Sequence, residues 1–212
     1  MSSAVDSALG SVLRVAFRGL AAARRARAVH PDGVLLAGEL IAEPDSGLPF
    51  PPRAGVLVRL SKGAGTPGGL PDVLGLAIRV AGSWDLLLSS AGTGPLSRLL
   101  PLPARRWSTA RYGTLLPYRA GGRLVWFLAV PERAEPPSRF TLLAGTAAGR
   151  WRPVARLELT GEAPAGEEPA FDPMLRRPPG LELAPAWAAR LREAAYAGSR
   201  RGRLPARTDR HR

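Results

Sequence analysis

The sequence contains no cysteine and only two histidines, His30 and His211. Without cysteine, disulfides, thiolate catalysis and cysteine-based metal sites are excluded. Two histidines cannot build a histidine-rich metal site, and the acidic residues form no HExxH or DxD cluster. The GxSxG and GxxxxGK[ST] motifs are absent as well. We therefore expect any difficult chemistry to be carried by a cofactor, and the lack of cysteine suits the reducing cytoplasm.

Long apolar runs are also missing, and no stretch is long enough to span a bilayer. The basic side is almost entirely arginine, since Lys62 is the only lysine among 30 basic residues. Much of this charge lies in segments 24–27 and 199–212, without interleaved aromatic residues. We expect no specific nucleic-acid partner. A basic module for nucleic acid or membrane surfaces stays an alternative that rests on the net charge of +13 alone.

What the chain has in quantity is glycine (24), proline (22) and short apolar runs, a pattern typical of strands joined by turns. Eight strands are predicted in two sets of four, at 33–43, 55–61, 72–80, 84–90, 112–119, 123–132, 139–147 and 151–160. Eight antiparallel strands of this spacing favour a closed barrel, which leaves no exposed edge. The fold class is mainly β (α+β), and residues 1–203 form one domain.

Helices are predicted at both ends of this barrel. Apolar residues at positions 12, 13, 16, 17 and 20 indicate an amphipathic helix over about 6–27 that lies on the protein, with a membrane-surface helix as the alternative. Segment 184–201 is composed of good helix formers. Residues 204–212 are expected to be a disordered basic tail. The sequence leaves a homo-oligomer open.

The second helix contains one pairing with chemical meaning. Arg192 and Tyr196 are four residues apart, so they share a helical face. A guanidinium beside a phenol favours the phenolate and lowers its pKa. Tyrosinate is an axial haem ligand in one class of enzymes. The alternative is an exposed helix that happens to carry a tyrosine.

Several short motifs occur in a fixed order along most of the chain. They are Arg27-Ala28-Val29-His30-Pro31-Asp32-Gly33, Val58-Arg59-Leu60-Ser61, then Asp72, Gly75, Ala77 and Arg79 in one strand, Trp84-Asp85-Leu86, and finally PAFDPMLRRPPGLELAPAWAARLREAAY. In order and spacing this set resembles the catalase superfamily, from about Arg27 to Arg203. The resemblance implies a catalase-like antiparallel barrel that binds haem b through its iron.

The resemblance also implies a role for each matched residue. Tyr196 would be the proximal iron ligand, kept anionic by Arg192. His30 would be the distal acid–base group, oriented by Ser61, and not merely a residue at a loop-to-strand junction. Val29 would line the distal channel. The arginines that would bind the haem propionates are Arg27, Arg59 and Arg203.

The chain departs from the family after Trp84-Asp85-Leu86. Catalases have two asparagines there, the second of which holds peroxide, followed by an aromatic wall; here Ser90 takes that place in the run LLLSSAGTGP. The sequence therefore predicts peroxidase-type turnover of hydrogen peroxide or organic hydroperoxides with a small organic donor, and weak catalase activity. The alternative is a catalase-fold protein that binds haem for sensing, or has lost it, without turnover.

Overall fold

The fold is described by a computed structural model, which covers residues 33–184 apart from 45, 49, 68, 81–82, 148 and 165–168. These residues form ten β-strands and one short 3-10 helix, Ser97–Leu99. The strands are β1 Gly33–Ala42, β2 Arg53–Lys62, β3 Leu74–Val80, β4 Asp85–Ser90, β5 Tyr112–Gly113, β6 Tyr118–Ala120, β7 Arg123–Pro131, β8 Arg139–Gly145, β9 Arg152–Glu162 and β10 Leu181–Leu183.

Eight of the strands form a closed antiparallel barrel. The order is β7-β5-β4-β3-β2-β1-β9-β8, and the pairing of β8 with β7 closes the ring. Closure satisfies the backbone hydrogen-bonding groups that an open sheet would leave at its two edges. The eight-stranded barrel predicted from the strand spacing is confirmed.

Side chains fill the inside of the barrel. Along β2, β3 and β4 the even-numbered residues are buried and the odd-numbered ones are mostly half-buried, as the two-residue period of a strand requires. The largest fully buried side chains are Trp84, Tyr112, Phe127 and Phe140. Phe50 stacks on Trp84 with ring centroids 5.3 Å apart. A large ligand would therefore have to bind outside this packed interior.

The second set of strands differs in detail from the prediction. The predicted strand 112–119 is two strands, because Leu115 adopts a left-handed backbone (φ 57°) between β5 and β6. Both pieces pair with β7. The turn at Gly121 and Gly122 joins β6 to β7 as expected, with positive φ at both glycines. Strand β10, which pairs with β6, was not predicted.

The two predicted flanking helices cannot be compared with the structure. Residues 6–27 lie outside the described residues, and of 184–201 only Ala184 is described. In the described part of the chain, no helix is long and apolar enough to cross a membrane.

Candidate functional site

One part of the outer barrel surface, formed by β1 to β4, carries unusually small side chains. Gly33, Ser61, Gly75 and Ser89 are successive partners across these four strands. The odd-numbered residues of the strands point away from the core and form two further rows, Leu35-Arg59-Ala77-Leu87 and Ala37-Leu57-Arg79-Asp85. None of the twelve is exposed. We call this surface the small-residue wall.

Two glycines keep the wall flat. A Cβ at Gly33 would lie 2.5 Å from Nε of Arg59, and a Cβ at Gly75 would lie 2.8 Å from Oγ of Ser61. Real Cβ atoms do not approach other heavy atoms so closely, so any larger residue would displace these side chains. The glycines therefore give Arg59 and Ser61 the space to lie along the wall.

Two of the predicted site residues, Arg59 and Ser61, thus lie on the same surface. They lie two residues apart on the same face of β2, which places their Cα atoms about 7 Å apart. Both are half-buried at the end of the wall where β1 begins.

An ion pair closes the opposite end of the wall. Arg79 donates two hydrogen bonds to Asp85, at 2.7 and 2.6 Å, and the Asp85 side chain is fully buried. Arg79 also donates to the carbonyl of Ala170 and lies 5.0 Å from the ring centroid of Phe171. The backbone N–H of Asp172 donates to Asp85 at 2.6 Å. Three separate motifs of the sequence therefore meet here and fix segment 170–172 against the barrel.

Beyond segment 170–172, further hydrogen bonds fix the path of the chain. Asp172 accepts hydrogen bonds from the backbone N–H groups of Met174 and Leu175 and is itself buried. The chain then pairs through β10 with β6, and the N–H of Ala184 donates to the carbonyl of Pro117. These contacts fix the position of the chain at Ala184, where the segment predicted to carry Tyr196 begins.

Ser90 lies on a different face from Ser61 and Arg59. Its side chain shares the interior face of β4 with Leu86 and Leu88. Its hydroxyl donates to the carbonyl of Leu102 at 2.6 Å and accepts from the N–H of Leu74 at 2.9 Å. The structure does not bring Ser90 together with Ser61. The hydrogen bonds with Leu74 and Leu102 give Ser90 a structural role, and a direct contact between Ser90 and peroxide stays a prediction.

Asp72, the first residue of another motif, also has a structural task. Its carboxylate accepts hydrogen bonds from the N–H of Ala64 and from the N–H and hydroxyl of Thr66. Burial alone raises the pKa of Asp72, but these hydrogen bonds outweigh it and lower the pKa below its ordinary value. The charge holds the glycine-rich loop between β2 and β3.

The other predicted site residues lie outside the described residues: Arg27, Val29, His30, Arg192, Tyr196 and Arg203. Their proposed roles stay predictions. Within the described part of the chain, no three histidine, cysteine or acidic side chains are grouped so that they could hold a metal ion.

Sequence reasoning missed the row formed by Gly33, Gly75 and Ser89. The signal was present, because small residues occupy the odd positions of β3, in Leu74-Gly75-Leu76-Ala77. Which strands lie side by side, and hence that these residues form one surface, becomes evident only from the register of the barrel. The sequence matches no protein-family model, and no curated protein matches it.

Proposed function

We propose that this protein binds haem b on the small-residue wall and uses it in peroxidase-type reactions of hydrogen peroxide or an organic hydroperoxide with a small organic donor. The observation that carries the proposal is the row Gly33, Ser61, Gly75 and Ser89, a flat, half-buried strip on the outside of a filled barrel. The motif resemblance to catalases supplies the identity of the group.

The described residues fit a planar group with carboxylates at one edge. A flat macrocycle needs a surface without side chains that project far from it, and at Gly33 and Gly75 the space of a Cβ is taken by the side chains of Arg59 and Ser61, which lie against the strands. The Arg59 side chain lies over Gly33 at one end of the strip, and its guanidinium has the fork geometry that pairs with a carboxylate. Leu35, Ala77 and Leu87 extend the surface with apolar groups.

Covalent geometry supports a distal role for His30. It precedes Gly33 by three residues, so their Cα atoms are at most about 11 Å apart. Gly33 is the direct partner of Ser61. An imidazole within this reach can accept a hydrogen bond from the Ser61 hydroxyl. His30 would take the proton from one peroxide oxygen and return it to the other oxygen, which leaves as water.

The proximal side of the proposal rests on Tyr196 and Arg192. Arg192 is one helical turn before Tyr196 in the predicted helix, and its charge would keep the phenol oxygen anionic as an iron ligand. Haem would supply the redox-active iron that exchanges electrons with the peroxide bond. The hydrogen bonds among Arg79, Asp85 and segment 170–172 would hold the chain that leads to this helix against the barrel.

A second candidate function is haem binding without turnover, and the position of Ser90 favours it. Catalases use a carboxamide to hold the second peroxide, whereas this sequence contains no asparagine or glutamine at all. Ser90 is buried and already engaged with Leu74 and Leu102. The proposal therefore includes little dismutation of peroxide, and donor oxidation is what separates it from the second candidate.

The deciding experiment is an absorption spectrum of the protein expressed with added haem, followed by two matched leucine variants. Gly75→Leu places a large side chain on the wall, and we expect it to weaken haem binding at least tenfold. Gly55→Leu is the control, because Gly55 lies on β2 facing open space. If Gly75→Leu does not fold, Ala77→Leu tests the same surface. Wild-type protein without a Soret band, or equal affinity in both variants, would overturn the proposed site.

Turnover is tested separately on protein that binds haem. His30→Ala should retain haem and react with peroxide about a hundredfold more slowly, the usual cost of losing a general acid–base group. Tyr196→Phe should shift the Soret band or lose haem while the barrel stays folded. If wild-type protein binds haem but oxidises no donor, the peroxidase proposal is wrong and haem binding without turnover is the function that remains. Oxygen evolution at rates typical of catalases would contradict the expected weakness in dismutation.

A further inference from the structure

A second cluster lies away from the small-residue wall, where segment 91–100 covers the outer face of β7. Arg98 lies between two indole rings there, with its guanidinium carbon 5.3 Å from the ring centroid of Trp126 and 4.8 Å from that of Trp151. Arg98 is only 4% exposed. Leu99 and Leu116 pack against Trp126, so the surroundings are apolar.

The charge of Arg98 has no carboxylate partner among the described residues. Its Nε donates to the carbonyl of Gly94 at 3.1 Å, and its Nη1 donates to the carbonyl of Thr146 at 3.0 Å. A guanidinium has five N–H groups, so three remain. Burial lowers the pKa of Arg98 from its ordinary value, yet arginine keeps its proton in proteins. A buried charge of this kind is costly without a counter-charge.

The neighbouring indole carries a buried N–H donor. Nε1 of Trp126 is buried and has no hydrogen-bond acceptor among the described residues, whereas Nε1 of Trp151 donates to the carbonyl of Thr93 at 3.2 Å. Buried N–H groups are rarely left unpaired, because losing water without replacement costs free energy. A cation without a carboxylate partner therefore lies over the ring that carries the unpaired N–H donor, and an anion could serve both groups.

We infer that Arg98 and Trp126 form a binding site for a small oxyanion, a carboxylate or phosphate group that enters beneath segment 92–97. One oxygen would pair with the guanidinium and another would accept the Trp126 N–H, so a single anion would satisfy both groups. The tight apolar surroundings favour a ligand no larger than acetate or inorganic phosphate. This inference does not depend on haem binding.

The test measures thermal unfolding at fixed pH and ionic strength while chloride is replaced by formate, acetate or phosphate. A ligand that binds only the folded state raises Tm, and at about five times its Kd we expect a rise of roughly 2–4 °C. The anion that gives the rise shows whether the site takes carboxylate or phosphate. Trp126→Phe keeps the aromatic ring and removes the N–H, so it should abolish most of the rise.

Trp151→Phe is the matched control, since it removes an N–H that already has a partner. It should keep the response to anions. The indole N–H resonances in an NMR titration give a second measurement in the wild-type protein, where that of Trp126 should move most among five tryptophans. Equal anion responses in wild-type protein and Trp126→Phe, or no movement of the Trp126 resonance, would overturn the site and make the unpaired N–H merely an unsatisfied donor.

Discussion

The outer surface of the barrel has two contrasting parts. The small-residue wall on β1 to β4 consists of half-buried glycine, alanine, serine, leucine and Arg59, together with the ion pair Arg79–Asp85, whose carboxylate is fully buried. The outer face of β8 and β9, together with the residue just after β7, carries Glu132, Arg139, Arg156 and Glu158 instead. Here the side chains are up to two-thirds exposed and ion pairs are longer, 4.0 Å for Arg139–Glu132. We call this second surface the charged wall.

The difference lies in what each surface faces, because both surround the same packed interior. The side chains of the charged wall remain in water, where their pairing contributes little free energy. In the wall on β1 to β4, seven of the twelve residues are glycine, alanine or leucine, and an apolar surface of this kind can pack against another group. The contrast is our reason for placing the proposed haem on β1 to β4.

The largest expected effect comes from comparing the ion pairs of the two walls. Asp85→Asn should lower the free energy of unfolding by about 3–5 kcal/mol, because it removes the buried negative charge that accepts two hydrogen bonds from Arg79. Glu43→Gln removes the partner of Arg156, whose pair has side chains 61% and 32% exposed, and should cost less than about 1 kcal/mol. Urea unfolding of both variants measures the difference. Similar losses in the two variants would show that the contrast between the walls carries no energetic meaning.

Much of the barrel could be predicted from the sequence, because its strands depend on local patterns. In β2 and β3 the alternation of buried and half-buried residues follows directly from the order of apolar residues. The break in 112–119 could not be predicted, since leucine rarely adopts the left-handed backbone that Leu115 has. Strand β10 was missed because three residues carry too little pattern.

The candidate site could be predicted only where residues lie on one strand. Arg59 and Ser61 share a face because they are two residues apart, which the motif already contained. The meeting of Arg79, Asp85 and Asp172 joins positions up to 93 residues apart, so it depends on barrel closure and on the path of the chain after β9. Ser90 was predicted at the site because of its sequence position, whereas the strand period turns it inward.

A smaller effect is expected when a carboxylate is placed on each wall. Ser89→Glu would put a charge between Gly75 and Gly113, with no cation opposite, and should cost about 2 kcal/mol in unfolding free energy. Thr141→Glu places the same group opposite Arg156 on the charged wall, and its cost should stay within about 0.5 kcal/mol. Thermal or urea unfolding checks both. Equal tolerance would mean that water reaches the small-residue wall as freely as the charged wall.

The smallest expected effect is on how the free energy of unfolding depends on pH. Asp72 lies at the start of β3, next to the small-residue wall, and its hydrogen bonds from Ala64 and Thr66 lower its pKa. A carboxyl group whose pKa is lower in the folded state contributes stability above its ordinary titration range, and this contribution is lost as the pH falls through the folded-state pKa. Asp72→Asn should therefore lower the free energy of unfolding by about 1–2 kcal/mol near pH 6, with the difference from wild type shrinking below about pH 4.

Glu135 is the control, because its carboxylate also accepts backbone N–H groups, from Trp107 and Ser108, but it is exposed. Burial raises its pKa, but the Ser108 and Trp107 hydrogen bonds together with Arg106 outweigh burial and lower the pKa overall. Glu135→Gln should change the acid dependence in the same direction and by less, since water can replace the lost contacts. If Asp72→Asn keeps its full effect at pH 3, the stabilisation comes from the shape of the loop and not from the charge that holds it.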